Sequence, residues 1–309
     1  MSLVIICPDR NKDYWIRAFN KTDPSVEVLT EDQVIDNSSV IYTLAWKQPP
    51  GIFNRYPNLK CVSSLGAGVD HLVEDPHIPE EIDIVRIIDP VLSGDLFEFA
   101  LAVIMNRLRS LTGYKIRQVR KEWKKSLYMR IEDLRIGIMG TGKIGNHMAT
   151  KLSGMGFNVC GWARTKGKEE VYKKYAGQEE LDSFLQKINM LICVLPLTKS
   201  TKGILNRENL QKLPEGSYLI NLARGPHLVD DDLISLLDSG HLSGASLDVF
   251  HSEPLPPGHP FWSHPDINLT PHVASITDPE RVSDQIIENY HRVKKGEKPL
   301  NIVSRKLGY

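Results

Sequence analysis

The sequence predicts an α/β protein: a doubly wound parallel sheet, accompanied by a smaller α/β unit. Three observations predict it. Short apolar runs recur along the chain, and in its second half the gaps between them are long enough for crossover helices. A glycine-rich hexapeptide joins one such run to a helical pattern. A length of 309 residues suits two domains better than one.

Composition narrows the function classes. With 41% hydrophobic and 25% charged residues the chain reads as folded throughout. Lys plus Arg and Asp plus Glu are 38 each, so net charge gives no global attraction to nucleic acid or membrane. The longest apolar run, 99–105, is far too short to cross a bilayer. The chain enters the apolar residues 3–6 without a basic leader, so no signal peptide is expected and the expected compartment is the cytosol. Cys7, Cys61, Cys160 and Cys193 sit among apolar neighbours and form no C-x-x-C pair, which predicts buried, reduced thiols.

In chain order, residues 3–7, 26–29, 40–45, 59–65 and 82–87 read as strands, with a helical pattern at 14–19. A long helix follows, capped by Ser93 or Asp95, with a stripe of Leu96, Phe97, Ala100, Leu101, Val103, Ile104, Leu108 and Leu111. Further strands are expected at 135–139, 157–162, 190–195, 217–222, 245–250 and 267–270. The amphipathic stretch from about Asp284 is expected to return to the first unit. This gives a first domain of 1–95 with 284–309, and a second of 96–283.

The hexapeptide Gly140-Thr141-Gly142-Lys143-Ile144-Gly145 fits G-x-G-x-x-G. It follows a strand, opens a helix ending near Gly154 and Gly156, and precedes the next strand, which is the setting of the Rossmann dinucleotide fingerprint. Gly140 permits the tight turn, Gly142 lets a pyrophosphate approach, and Gly145 lets helix and strand pack closely. An NAD site carries a carboxylate at the end of the following strand. Here that end reads Ala163-Arg164-Thr165-Lys166-Gly167-Lys168, without one. An arginine, a hydroxyl and two lysines favour the 2′-phosphate of NADP(H), with NAD(H) a lesser possibility.

Three polar residues lie just beyond expected strand ends: Arg224, Glu253 and His272. Ligands of open α/β sheets bind at those ends. Carbonyl reduction needs a proton donor near neutral pH, which suits His272. A carboxylate such as Glu253 would orient the ring and favour its charged form. An arginine such as Arg224 grips a substrate carboxylate and polarises the neighbouring carbonyl. Separately, the small residues of Gly66-Ala67-Gly68 let backbone donors approach an anion, or form an ordinary strand-to-helix turn. His251, His259, His264 and His272 cluster in sequence but lack a helical ligand pair, so no metal is expected. The basic segment 115–130, interleaved with Tyr114, Trp123 and Tyr128, reads as a solvated face or a subunit contact rather than a nucleic-acid surface.

The segments Leu222-Ala223-Arg224-Gly225, Leu247-Asp248-Val249-Phe250 with Glu253-Pro254-Leu255-Pro256, His259-Pro260-Phe261-Trp262, and Leu269-Thr270-Pro271-His272-Val273-Ala274 resemble the D-isomer-specific 2-hydroxyacid dehydrogenase family. The resemblance covers essentially the whole chain. Within the family, chain length, the Ala45-Trp46 pair and residues 64–71 are most similar to the glyoxylate/hydroxypyruvate reductase A branch.

The resemblance implies a Rossmann cofactor domain, a flavodoxin-like substrate domain, a cleft between them, and NADPH-dependent reduction of glyoxylate and hydroxypyruvate to glycolate and D-glycerate. It assigns the substrate carboxylate and carbonyl to Arg224, the proton to His272, and the bracing of His272 to Glu253. Backbone N–H groups of Ala67, Gly68 and Val69 would receive the carboxylate, and Trp46 would shape the pocket. Asp248 and the Ala223 backbone would position the nicotinamide carboxamide, while Leu195, Pro196, Leu197 and Thr198 line the cofactor. A homodimer through the cofactor domain is implied. The alternatives are a relative acting on a bulkier 2-oxo acid, or a non-catalytic NAD(P)-sensing protein like the family's corepressors.

Overall fold

A computed structural model describes all residues except 9, 90, 166, 168–170 and 306–309. The chain forms two compact units, Met1–Pro90 with Thr277–Tyr309, and Val91–Ile276. The division lies earlier at both joints than the sequence predicts. The long helix spans Leu92–Arg109 with Val91 at its N-cap, so Ser93 and Asp95 lie inside it and cap nothing. The last helix spans Pro279–Lys294, because Asp278 accepts the Glu280 N–H and Pro279 occupies the first turn. Leu111 leaves the expected stripe: Ser110 turns left-handed (φ 53°), and Leu111 starts a second helix, Leu111–Val119, 57% exposed.

The first unit is one parallel sheet in the order β2-β1-β3-β4-β5, with β1 Ser2–Ile6, β2 Glu27–Thr30, β3 Val40–Ala45, β4 Cys61–Ser64 and β5 Asp83–Val85. That is the flavodoxin-like order. Helix Asp13–Thr22 lays Trp15 and Phe19 on one face. Helix Pro279–Lys294 adds Val282, Ile286, Ile287, Tyr290 and Val293, a helical spacing that makes one apolar stripe. The Tyr290 hydroxyl donates to the Met1 carbonyl at 2.6 Å. Phe53, Tyr56, Leu72 and Ile78 fill the other face.

The second unit is a seven-stranded, all-parallel sheet: β6 Arg135–Met139, β7 Asn158–Ala163, β8 Lys173–Ala176, β9 Met190–Cys193, β10 Ser217–Asn221, β11 Leu242–Leu247 and β12 Ile267–Leu269. Their order, β12-β11-β10-β9-β6-β7-β8, is the doubly wound order with one further edge strand. Both faces are covered, so the central strands are apolar on alternate sides. Ile136, Ile138, Met190, Ile192 and Ile220 face one core; Met139, Leu191, Cys193 and Leu219 face the other. β11 begins at Leu242 and ends at Leu247, earlier than periodicity suggests, so Asp248 to Phe250 lie in the loop beyond it. β8 escapes the sequence reading because Lys173 and Lys174 look like surface. Yet Lys174 is buried, its ammonium 3.1 Å from Asn146 Oδ1.

All four thiols are free, but Cys160 is only half-buried, against the expectation for it. Burial pushes Cys7 up to about 11 and Cys160 and Cys193 up to about 12, which leaves little thiolate for nucleophilic chemistry.

Candidate active site

The glycine loop sits between β6 and helix Lys143–Gly154. Gly140 has φ +111°, and a Cβ there would press on the Val194 carbonyl at 2.9 Å. At Gly145 a Cβ would collide with the Gly140 carbonyl oxygen. These two positions therefore require glycine for reasons internal to the protein. Gly142, at the N-cap, is different: a Cβ would meet nothing within 4 Å, so nothing inside the protein demands glycine there. The Thr141 methyl lies against Gly161 of β7. Lys143 is exposed and Ile144 half-buried. The helix start offers backbone N–H groups and a positive dipole end to phosphate.

At the end of β7, Ala163 is half-buried and Arg164 and Thr165 are exposed; Lys166 and Lys168 lie outside the described residues. Beyond β9, Leu195 is buried, Pro196 exposed, and Leu197 and Thr198 half-buried. Thr201 shapes this loop: its hydroxyl oxygen accepts the Thr198 N–H at 2.8 Å, and its hydroxyl donates to the Pro196 carbonyl at 2.7 Å.

Arg224 follows β10. Asn221, fully buried at the strand end, accepts the Ala223 N–H at 3.2 Å and donates to the Arg224 carbonyl at 3.1 Å. One Arg224 guanidinium nitrogen donates to the Ala223 carbonyl at 2.7 Å. Gly225 lets this turn cross the backbone of Phe250 and His251, which any Cβ would strike. His227, fully buried, sets its ring nitrogens 3.1 Å from the Arg224 carbonyl and 3.3 Å from the Pro196 carbonyl. It thus ties the Arg224 turn to the loop after β9.

Glu253 and His272 meet. His272 Nδ1 lies 2.8 Å from Glu253 Oε2, and because a carboxylate only accepts, Nδ1 carries the donated proton. Glu253 Oε1 accepts the Phe250 N–H at 3.0 Å, which aims the carboxylate. The His272 ring is 28% exposed, and Nε2 has no hydrogen-bond partner among the described residues. His272 has φ +54°, a left-handed conformation that costs a non-glycine residue on the order of 1 kcal/mol. Something must hold it there. Asp248 does: Oδ1 accepts the Thr270 hydroxyl at 2.6 Å and the Val273 N–H at 2.9 Å, and Oδ2 accepts the Ala274 N–H at 3.0 Å. The Asp248 N–H in turn donates to the Asn221 carbonyl at 3.1 Å.

Asp248 is only 2% exposed. A carboxylate offers about four acceptor sites, so three protein donors leave roughly one for anything else. Its observed work is to hold the 270–274 loop. Asn221 and His227 have no role in the sequence reading, and Gly225 and Thr270 enter it only as parts of the family-like segments. Asn221 alone had a local signal, a polar side chain closing an apolar strand.

The other histidines of that stretch pair with carboxylates. His251 and His259 each lie 3.4 Å from Asp230, and His264 lies 3.5 Å from Asp238. Among the described residues no three such side chains converge as for a metal ion.

In the first unit, Trp46 is half-buried beyond β3, its ring 4.8 Å from that of His71. Beyond β4, Ser64 Oγ donates to the Gly68 carbonyl at 2.6 Å, and the Gly66 N–H donates to that hydroxyl at 3.2 Å. The N–H groups of Ala67, Gly68 and Val69 donate to no acceptor among the described residues. Val69 is buried, while Ala67 and Gly68 are half-buried.

Residues 101–274 match the family profile for the D-isomer specific 2-hydroxyacid dehydrogenase NAD binding domain. The whole chain is 36% identical over 314 residues to the glyoxylate/hydroxypyruvate reductase A of Serratia proteamaculans, covering all of both proteins. Among solved structures, it matches a D-isomer specific 2-hydroxyacid dehydrogenase from Xanthobacter autotrophicus in complex with NADPH and MES (TM-score 0.92, 36% identity, 100% of this chain and 99% of that one). It also matches an NADPH-dependent glyoxylate/hydroxypyruvate reductase from Sinorhizobium meliloti in complex with NADP and sulfate (TM-score 0.91, 34% identity, all of both chains).

Proposed function

Because the chain belongs to the D-isomer specific 2-hydroxyacid dehydrogenase family, we propose that it uses NADPH to reduce glyoxylate and hydroxypyruvate to glycolate and D-glycerate. The observation that carries the reading is the Glu253–His272 pair, held at 2.8 Å beside an arginine turn at the carboxyl edge of a dinucleotide-type sheet.

The residues suit the cofactor. Gly142 leaves room for a pyrophosphate at the helix N-terminus, and Arg164 and Thr165 stand where an NAD site needs a carboxylate. Thr141, Lys143, Ala163 and Thr198 complete the proposed binding set. NADPH, when bound, supplies the hydride that forms the new C–H bond at C2 of the oxo acid. Arg224 holds the substrate carboxylate and polarises its carbonyl. His272 gives the Nε2 proton to the carbonyl oxygen as it becomes a hydroxyl. Glu253 keeps the ring oriented and balances its charge before transfer. The N–H groups of Ala67, Gly68 and Val69 are proposed as carboxylate donors.

The test is NADPH and NADH oxidation by the purified protein with glyoxylate, hydroxypyruvate and bulkier 2-oxo acids. NADPH oxidation on the two small acids is expected. Activity confined to bulkier acids would keep the chemistry and replace the substrate. NADPH binding without turnover would point to a sensor. Replacing Arg164 with Asp is expected to shift kcat/KM by about tenfold or more toward NADH, since it exchanges a phosphate partner for a hydroxyl partner. An unmoved preference would overturn the role given to Arg164.

We also infer a homodimer formed through the arm at 111–130. Arg117 donates to the Lys124 carbonyl at 2.9 Å and to Ser126 Oγ at 2.7 Å, which ties the extended part of the arm to helix Leu111–Val119. Yet Trp123 and Leu127 are fully exposed, an apolar patch that suits a second copy. Sedimentation should give twice 34.9 kDa, and a monomer would refute the inference. Four unpaired cysteines suit the reducing cytosol, which cell fractionation would check.

A further inference from the structure

Strand β8 holds a charge that the proposed chemistry leaves unused. Lys174 is only 8% exposed. It pairs in register with Gly161 of β7, two residues before that strand ends at Ala163. A Cβ on Gly161 would strike the Thr141 methyl and the Tyr172 ring, so this glycine brings the glycine loop and Tyr172 together. The Tyr172 hydroxyl donates to Asn146 Oδ1 at 2.7 Å, and Lys174 Nζ donates to the same oxygen at 3.1 Å. Asn146 lies in the first turn of helix Lys143–Gly154, its N–H on the Gly142 carbonyl at 2.8 Å.

The ammonium lies against two elements. On one side is that first helical turn. On the other is the loop beyond β7, where a Cβ on Gly167 would lie 3.8 Å from Nζ. The Tyr172 ring adds a third contact, its centroid 4.9 Å from Nζ. None of these partners is anionic, and among the described residues Lys174 forms no ion pair. An amide oxygen and a ring face solvate an ammonium without neutralising it. A charge held out of water with no counter-ion is unfavourable, and an anion arriving nearby relieves part of that penalty. Its field also reaches farther than that of a surface lysine, because less water screens it.

We propose that Lys174 is a specificity-determining residue for the cofactor: its uncompensated charge, set behind the loop that carries Arg164 and Thr165, selects a nucleotide with a 2′-phosphate over one with a 2′-hydroxyl. The inference rests on the reading that NADPH docks at the glycine-loop helix and the loop beyond β7. It deepens that reading by moving part of the selection off the exposed loop and onto a buried strand residue. The effect is a field and needs no direct bond. A 2′-phosphate carries up to two negative charges where the hydroxyl carries none, so only the phosphate gains from the ammonium.

The test is calorimetric titration of the purified full-length chain with NADPH, NADH, adenosine 2′,5′-bisphosphate and AMP. Wild type is expected to bind NADPH tighter than NADH, and the bisphosphate tighter than AMP. Lys174→Met keeps an unbranched buried side chain without the charge. It should weaken NADPH and the bisphosphate by about tenfold and leave NADH and AMP within about threefold. Asn146→Asp keeps Lys174 and the local shape but sets a carboxylate where the amide oxygen lies, 3.1 Å from Nζ. It should lower the preference for the 2′-phosphate by a similar factor, and it decides the question alone if Lys174→Met does not fold. A lysine with a merely structural role would weaken all four ligands alike or none. Either result, with the wild-type preference for NADPH intact, would overturn this inference alone. A wild type that binds NADH as tightly as NADPH would overturn the cofactor reading and this inference with it.

Discussion

Replacing His272 by alanine is expected to lower kcat by about 10²–10⁴, the usual worth of a positioned general acid. Glu253 Oε2 accepts from Nδ1 at 2.8 Å, so Nε2 is the only ring position from which a proton can be handed on. Alanine removes that proton and leaves water to supply it. NADPH affinity should change little, because the proposed phosphate contacts lie at the glycine loop and beyond β7. Single-turnover reduction, with nucleotide binding followed by fluorescence, separates the two effects. Turnover within threefold of wild type would remove His272 from the role of acid. Glu253→Gln should cost less than the alanine change. The amide still accepts from Nδ1 through its oxygen but no longer balances a charged ring.

The legible part of this molecule lies where chemistry and periodicity coincide locally. The hexapeptide at 140–145 announced a turn, and its strand and helix flank it directly in sequence. Arg224 and His272 were legible as polar residues just past apolar runs, whereas Glu253 lies farther out than expected, because β11 already ends at Leu247. What escaped depends on partners far along the chain. Nothing near Gly225 tells that residues 250–251 pass against it. Nothing near Lys174 tells that Asn146 receives its ammonium. The late placement of the last helix has another cause. Asp278-Pro279 is a local start signal, but the apolar stripe that drew the reading first becomes dense only past 284.

Asp248 is the clearest case of a role visible only in three dimensions, and its removal is expected to be the most damaging change to the site after His272. Its two oxygens hold the Thr270 hydroxyl and the N–H groups of Val273 and Ala274, 22 to 26 residues away in sequence. These three bonds bracket His272 at φ +54°. With alanine at 248, two backbone donors and a hydroxyl lose their acceptor; Ala274 is 4% exposed and keeps none, whereas Val273 is 39% exposed and can turn to water. At about 1–3 kcal/mol for each unsatisfied group, the loss is several kcal/mol unless the loop moves. The left-handed residue makes movement the cheaper outcome, since relaxing it recovers on the order of 1 kcal/mol. Asp248→Ala should therefore lower thermal stability only moderately, while kcat falls about a hundredfold or more because His272 leaves Glu253. Asp248→Asn is informative beside it. Asparagine keeps the shape and one acceptor but points an NH₂ at a backbone N–H, so a comparable loss of kcat is expected from the isostere. If either variant kept full kcat, the 270–274 loop would hold its conformation without the carboxylate. A fall in kcat for both, with the oxo-acid KM nearly unchanged, would place Asp248 behind the acid rather than in substrate binding.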